Sequence, residues 1–134
     1  ATTEATTEAP TETTAPILYQ HPLTGEMEEE PYLGNPTAVV INNLRYALPQ
    51  HGIAQADMMY ELITEGDITR CLAVFSDLEG VGSIGPVRSA RTFFNSICQA
   101  LDAVIFHAGG SKRGRGGYHD LKGKKTANSS GSMG

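Results

Sequence analysis

Arg88 and Arg91 stand three residues apart in Gly85-Pro-Val-Arg-Ser-Ala-Arg91. Two guanidiniums at that spacing suit one task, holding a carboxylate or a phosphate between them. Further on, Gly109-Gly110-Ser111 follows His107. Paired glycines let backbone N–H groups converge on an anion, and His107 would lie beside them. The parts of an anion-facing pocket are present, but they name no ligand and no reaction. A plainer account is also open: one surface arginine, one internal ion pair, a hydrogen-bonded core histidine and an ordinary Gly-Gly turn.

A second group of ionisable residues falls in Met58–Ser76, two strand-like runs around Gly66-Asp67. With those two residues as a hairpin turn, Glu65 faces Ile68, Ile63 faces Arg70 and Glu61 faces Leu72. Alternation then puts Glu61, Glu65 and Arg70 on one face, with Arg70 diagonal to both acids. Acids among Met, Tyr, Leu and Ile are costly to bury unpaired, so Arg70 either forms a structural ion-pair cluster or lines a polar pocket. Glu61 and Glu65 are about 13 Å apart on an undistorted strand, outside the roughly 5–10 Å that a glycosidase carboxylate pair requires. Cys71 and Cys98 both fall at core positions and sit in no activating context, as two thiols or one disulfide. The four histidines, His21, His51, His107 and His119, have no metal-ligand spacing, so neither metal nor cofactor is expected. Gly117–Thr126 superficially resembles a phosphate-binding loop but is one residue too long and lacks the flanking strand and helix.

The elements that position these residues follow from periodicity. Ala90, Phe93, Phe94, Ile97, Cys98 and Leu101 recur every three or four residues, and Pro86 suits a first helical turn, so the pattern predicts an amphipathic helix over 86–101. Arg88 and Arg91 then occupy its first two turns, where free N–H groups favour an anion. Asp102 marks the helix exit, and Ala103–Ala108 reads as a buried strand with Gly-Gly at its C-terminal end, where ligands bind in α/β sheets. Ala38–Asn43 reads as another buried strand, whose Asn42 and Asn43 either orient a ligand or satisfy a turn. Residues 45–57 form a returning loop. The expected class is α/β, with α+β the alternative. It is a small mixed β-sheet with a hairpin at 58–76, one packed helix at 86–101 and a strand at 103–108.

The flanks differ in composition. Residues 1–16, ATTEATTEAPTETTAP, contain only Thr, Glu, Ala and Pro and read as a disordered spacer; residues 17–34 read as an irregular lead-in. Such a stalk is typical of exported proteins. No apolar run is long enough to span a membrane. The formal charge is −5, yet Lys112, Arg113, Arg115, Lys122, Lys124 and Lys125 crowd residues 112–134, which read as a basic, Gly-rich, disordered tail. The core at 35–111 is mildly acidic, so a nucleic-acid-binding face there is not expected.

NPTAVVINNLRYALPQHGIAQADMMYELITEGDITRCLAVF, then IGPVRSARTFF and DAVIFHAGGS, resemble the YerB-like family of bacterial lipoproteins, from about Pro22 to Ser111. The resemblance implies an exported, membrane-anchored protein of the cell envelope, held by a lipid on a preceding N-terminal segment, with an unknown activity. The family's recurrent polar positions fall on Asn42, Asn43, Gln50, Glu61, Glu65, Arg70, Arg88, Ser89, Arg91, His107 and Ser111. Members usually have a glycine where this chain has Asp67. They also continue past Gly-Gly-Ser through a second domain, so 35–111 is expected to be a truncated N-terminal domain. The leading expectation is a binding domain for an anionic envelope component. Arg88, Ser89, Arg91, Arg70, Asn42, Asn43, His107, Gly109, Gly110 and Ser111 would line its site. An envelope hydrolase or transferase using His107 with Glu65 or Glu61 is the alternative, and a structural partner of another envelope protein is the third.

Overall fold

The computed structural model describes residues 15–110 and, as backbone alone, 126–128. The chain divides into two compact units, up to Tyr32 and from Leu33 onward. The first is less irregular than its composition predicts: β1 (Tyr19–Gln20) pairs antiparallel with β2 (Met27–Glu28). The loop between them is tied by His21, whose Nδ1 accepts the N–H groups of Leu23 and Thr24.

The second unit is α+β. β3 (Thr37–Asn42), β4 (Met58–Ile63), β5 (Thr69–Phe75), β6 (Val104–His107) and β7 (Thr126–Asn128) form one sheet in the order β4-β5-β3-β6-β7, with one helix, α1 (Thr92–Ala100). β4, β5 and β3 are antiparallel neighbours, whereas β3, β6 and β7 run parallel. β7 falls within the stretch read as a disordered tail; the rest of that tail and the spacer up to residue 14 lie outside the described residues. Alternation divides the central strands cleanly. Val39, Ile41, Cys71, Ala73 and Phe75 form a buried cluster on one face, covered by Ile53, Ala56, Val81, Ile84 and Val87 from the loops. Ala38, Val40, Leu72, Val74 and Ile105, on the other face, are also buried. Near-continuous apolar strands are what burial on both faces requires.

Two expected geometries are corrected. The helix starts at Thr92 rather than Pro86, with Arg91 as its extended N-cap (φ −129°, ψ 159°). The backbone of 86–90 is taken by the sheet instead: Asn42 N–H donates to Pro86 O (2.8 Å), Arg88 N–H to Val40 O (2.8 Å), and Ala108 N–H to Arg88 O (3.0 Å). Six residues read as helix are therefore extended. Downstream the reading holds, because Asp102 (φ 52°) closes α1 with Ala103 N–H on Cys98 O and Asp102 N–H on Gln99 O.

The second correction is the hairpin register. Gly66 and Asp67 do form the turn, both with positive φ, and Ile68 N–H donates to Glu65 O (3.2 Å). Thr64 N–H also donates to Ile68 O (2.7 Å), so Thr64 and Glu65 both oppose Ile68. This β-bulge shifts the ladder by one residue, to Ile63↔Thr69, Leu62↔Arg70 and Glu61↔Cys71. Glu61 consequently leaves the face of Arg70 and joins that of Cys71.

Candidate functional site

The parallel strands β3 and β6 pair through Val39↔Phe106 and then part. The extended segment Val87–Ala90 fills the gap between their C-terminal ends. It bridges Ile41 through Val87 on one side and Gly110 through Ala90 on the other. The carbonyls of Ser89 and Ala90 and the side chains of Arg88 and Arg91 are thereby fixed beside Arg70, which projects from β5 opposite Asn42 of β3.

Arg70 is buried, with its side chain 7% exposed. Its Nη1 donates to Ser89 O (2.9 Å) and its Nη2 to Glu65 Oε1 (2.9 Å). Arg91 takes the same carboxylate as a fork, Nε to Oε2 at 3.1 Å and Nη2 to Oε1 at 2.6 Å, while its Nη1 donates to Ala90 O (2.9 Å). Arg88 is the third cation. It lies close enough that its charge helps to depress Arg70, yet its buried Nε has no hydrogen-bond partner among the described residues. Burial, then repulsion from Arg91, pulls the Arg70 guanidinium below its ordinary value, against the attraction of Glu65. Hydrogen bonding from Arg91 outweighs desolvation and, with attraction from both arginines, holds the Glu65 carboxyl below its ordinary value. Two guanidiniums therefore share one carboxylate, and the third, Arg88, makes no contact with it among those described.

Residues 23–132 match the family described as "Protein of unknown function (DUF3048) N-terminal domain". The chain belongs to this family. YerB of Bacillus subtilis (strain 168), described as a candidate lipoprotein, is 42% identical to it over 91 residues, 67% of this chain and 27% of YerB. The crystal structure of the YerB protein from Bacillus subtilis matches with a TM-score of 0.64 at 33% identity, covering 82% of this chain and 38% of that one. The chain thus spans about a quarter of YerB's full length, and the YerB-like resemblance of the sequence is borne out.

For this DUF3048 domain the expected residues separate into two groups. Arg70, Arg88, Ser89 and Arg91 come together. Gly109 and Gly110 adjoin them, although not as an open cradle: Ala90 N–H donates to Gly109 O (3.0 Å), and Ser89 Oγ–H to Ala108 O (2.9 Å). Gly109 is required there, since at φ 85° an added Cβ would lie 3.1 Å from Ser89 Oγ. His107 is 1% exposed, and its Nδ1–H donates to Gly109 O (2.7 Å), so it is a hydrogen-bonded core histidine. Ser111 lies outside the described residues.

Asn42 stands opposite Arg70, but among the described residues the side chains of Asn42, Asn43 and Glu61 hydrogen-bond to other groups. Asn42 Oδ1 accepts the Leu44 N–H (3.0 Å), the turn-satisfying role open to it from the start. Asn43 Nδ2 donates to Glu61 Oε1 (3.1 Å) and Thr69 Oγ1 (2.8 Å), and Gln50 Nε2 to Asn43 Oδ1 (2.9 Å). The two acids once placed together around Arg70 thus serve separate networks. Glu65 is held in its ionised form by two arginines, the wrong protonation state for a general acid at neutral pH.

Two features escaped the sequence reading. One is the Glu65–Arg91 ion pair, which no local spacing signals. The other is Asn95, 4% exposed in α1, whose Oδ1 and Nδ2 both lack partners among the described residues; its position three residues before Cys98, on the apolar stripe, was the available signal. A separate apolar cavity of about 240 Å³ lies on the opposite sheet face, lined by Thr37, Val39, Leu78, Gly82, Ile84, Val87 and Phe106. None of these lining residues is charged. No cluster of metal-ligating side chains occurs among the described residues.

Proposed function

We propose that this domain is an extracytoplasmic module of a lipid-anchored envelope protein, and that it binds an anionic envelope component through Arg70, Arg88 and Arg91. One observation carries the reading: two guanidiniums hold a single carboxylate, and a third, close enough for its charge to depress Arg70, keeps a buried Nε with no partner among the described residues. Burying guanidinium N–H groups unpaired is expensive, and a bound anion would remove that cost. The envelope location rests on the description of YerB as a candidate lipoprotein, and no described helix is long and apolar enough to cross a membrane.

Titration of the 134-residue chain with soluble peptidoglycan fragments, followed by calorimetry and thermal melting, tests the reading. A ligand that engages Arg88 should lose about 10- to 100-fold in affinity in Arg88→Ala, the value of a charge-assisted hydrogen bond. The melt of the unliganded variant should stay near that of the parent. Equal affinity of both proteins for every fragment, or no binding by either, would sink the proposal.

A further inference from the structure

Glu65 occupies the place where a ligand's acidic group would sit, and its setting is that of an occupant rather than a wall. It lies on the bulge beside the hairpin turn, and its side chain is 58% exposed, against 7% for Arg70 and 22% for Arg91. The arginines do not depend on it for position. Arg70 is anchored by Ser89 O and Arg91 by Ala90 O, both backbone carbonyls of the segment fixed between β3 and β6. Removing Glu65 would therefore leave a preformed fork. The carboxylate is also an incomplete match, because it reaches Arg70 and Arg91 while the buried Nε of Arg88 stays unpartnered among the described residues.

We propose that Glu65 is a built-in carboxylate plug, and that the site's ligand is a carboxylate which displaces it from Arg91 and Arg70 while also engaging Arg88. This rests on the anion-binding reading above and names the ligand class for it. The planar, two-oxygen grip of Arg91 on Glu65 is the geometry a guanidinium uses for a carboxylate. An untethered carboxylate escapes the limited reach of a residue bound to the turn. Exchange of one carboxylate for another conserves charge in the site, so binding depends on the third arginine rather than on bulk attraction.

The test measures affinity for N-acetyl-dialanine, its C-terminal amide and inorganic phosphate in the 134-residue chain and in Glu65→Gln, Glu65→Ala and Arg88→Ala. The proposal expects both Glu65 variants to bind the free carboxylate about tenfold more tightly than the parent, as loss of an internal competitor requires. It expects no binding of the amide, and weaker binding in Arg88→Ala. Two Glu65 variants with unchanged circular dichroism guard against misfolding. Equal or weaker carboxylate binding in both would overturn the plug while leaving the anion site standing. Preference for phosphate over the carboxylate would overturn the ligand class. Failure of every protein to bind either anion would overturn the anion site itself.

Discussion

The three arginines are chemically alike and differ in what they already hold, which separates their contributions to stability from their contributions to binding. Arg70 is buried and satisfies Ser89 O and Glu65. Arg70→Ala strips both and should cost about 1–3 kcal/mol, read as a lower midpoint in urea. Arg88→Ala removes a side chain whose Nε has no partner among the described residues, so its midpoint should shift far less. A larger loss for Arg88 than for Arg70 would contradict the contact pattern. Glu65 adds a pH signature. Its folded pKa is below the ordinary value of 4.5, so its stabilisation is fully present above about pH 4.5 and is lost as pH falls through the folded value. The carboxylate is mostly exposed, which limits the effect to about 0–1 kcal/mol. Melts of the parent and Glu65→Gln should differ at pH 7 and converge as the pH falls into the acid range; a gap that widens in acid would have the wrong sign.

At the scale of elements, the bulge at Thr64–Glu65 decides which acid meets the arginines. Asp67 holds φ 58° in the turn that sets it, a conformation open to glycine at no steric cost, tolerated by Asp and penalised for β-branched residues. Asp67→Gly should therefore leave the denaturation midpoint within about 1 kcal/mol of the parent, whereas Asp67→Val should cost about 1–2 kcal/mol. Equal stability of the two would mean the turn is not held as described. The same hairpin marks the boundary of what the sequence discloses. The turn was legible from Gly66-Asp67 and the strands from their apolar runs, but one extra residue carries no pattern of its own, and alternation then placed Glu61 on the wrong face. The helix shows the same division. Its body and its exit at Asp102 are local signals, read correctly. Its start was misplaced because Pro86 fits a first turn equally well, and only pairing with β3 and β6, remote in sequence, draws Pro86–Ala90 into the sheet. Arg88 and Arg91 were identified by type, but not the carboxylate between them, which is a property of the assembled fold.

Over the whole of the second unit, both cysteines report whether the sheet and helix unfold together. Cys71 belongs to the loop-covered cluster on one sheet face, and Cys98 is buried in α1. Both are free thiols among the described residues, so a bridge between them, left open by the sequence, is not formed. Burial pushes the Cys98 thiol up to about 12, and burial, followed by the charge of Glu61, pushes up that of Cys71. Reaction with an alkylating reagent needs the thiolate and access to it, and neither is available while the core is closed. If β3–β6 and α1 form one cooperative unit, both cysteines should stay unmodified at pH 8 below the urea midpoint. They should then become reactive together, along the transition seen by circular dichroism. Cys98 reacting first would instead mean that α1 detaches while the sheet persists. That outcome would also bear on the site. Arg91 caps α1 and Ser89 carries the anchor of Arg70, so a helix that opens independently would release the guanidinium fork before the sheet unfolds.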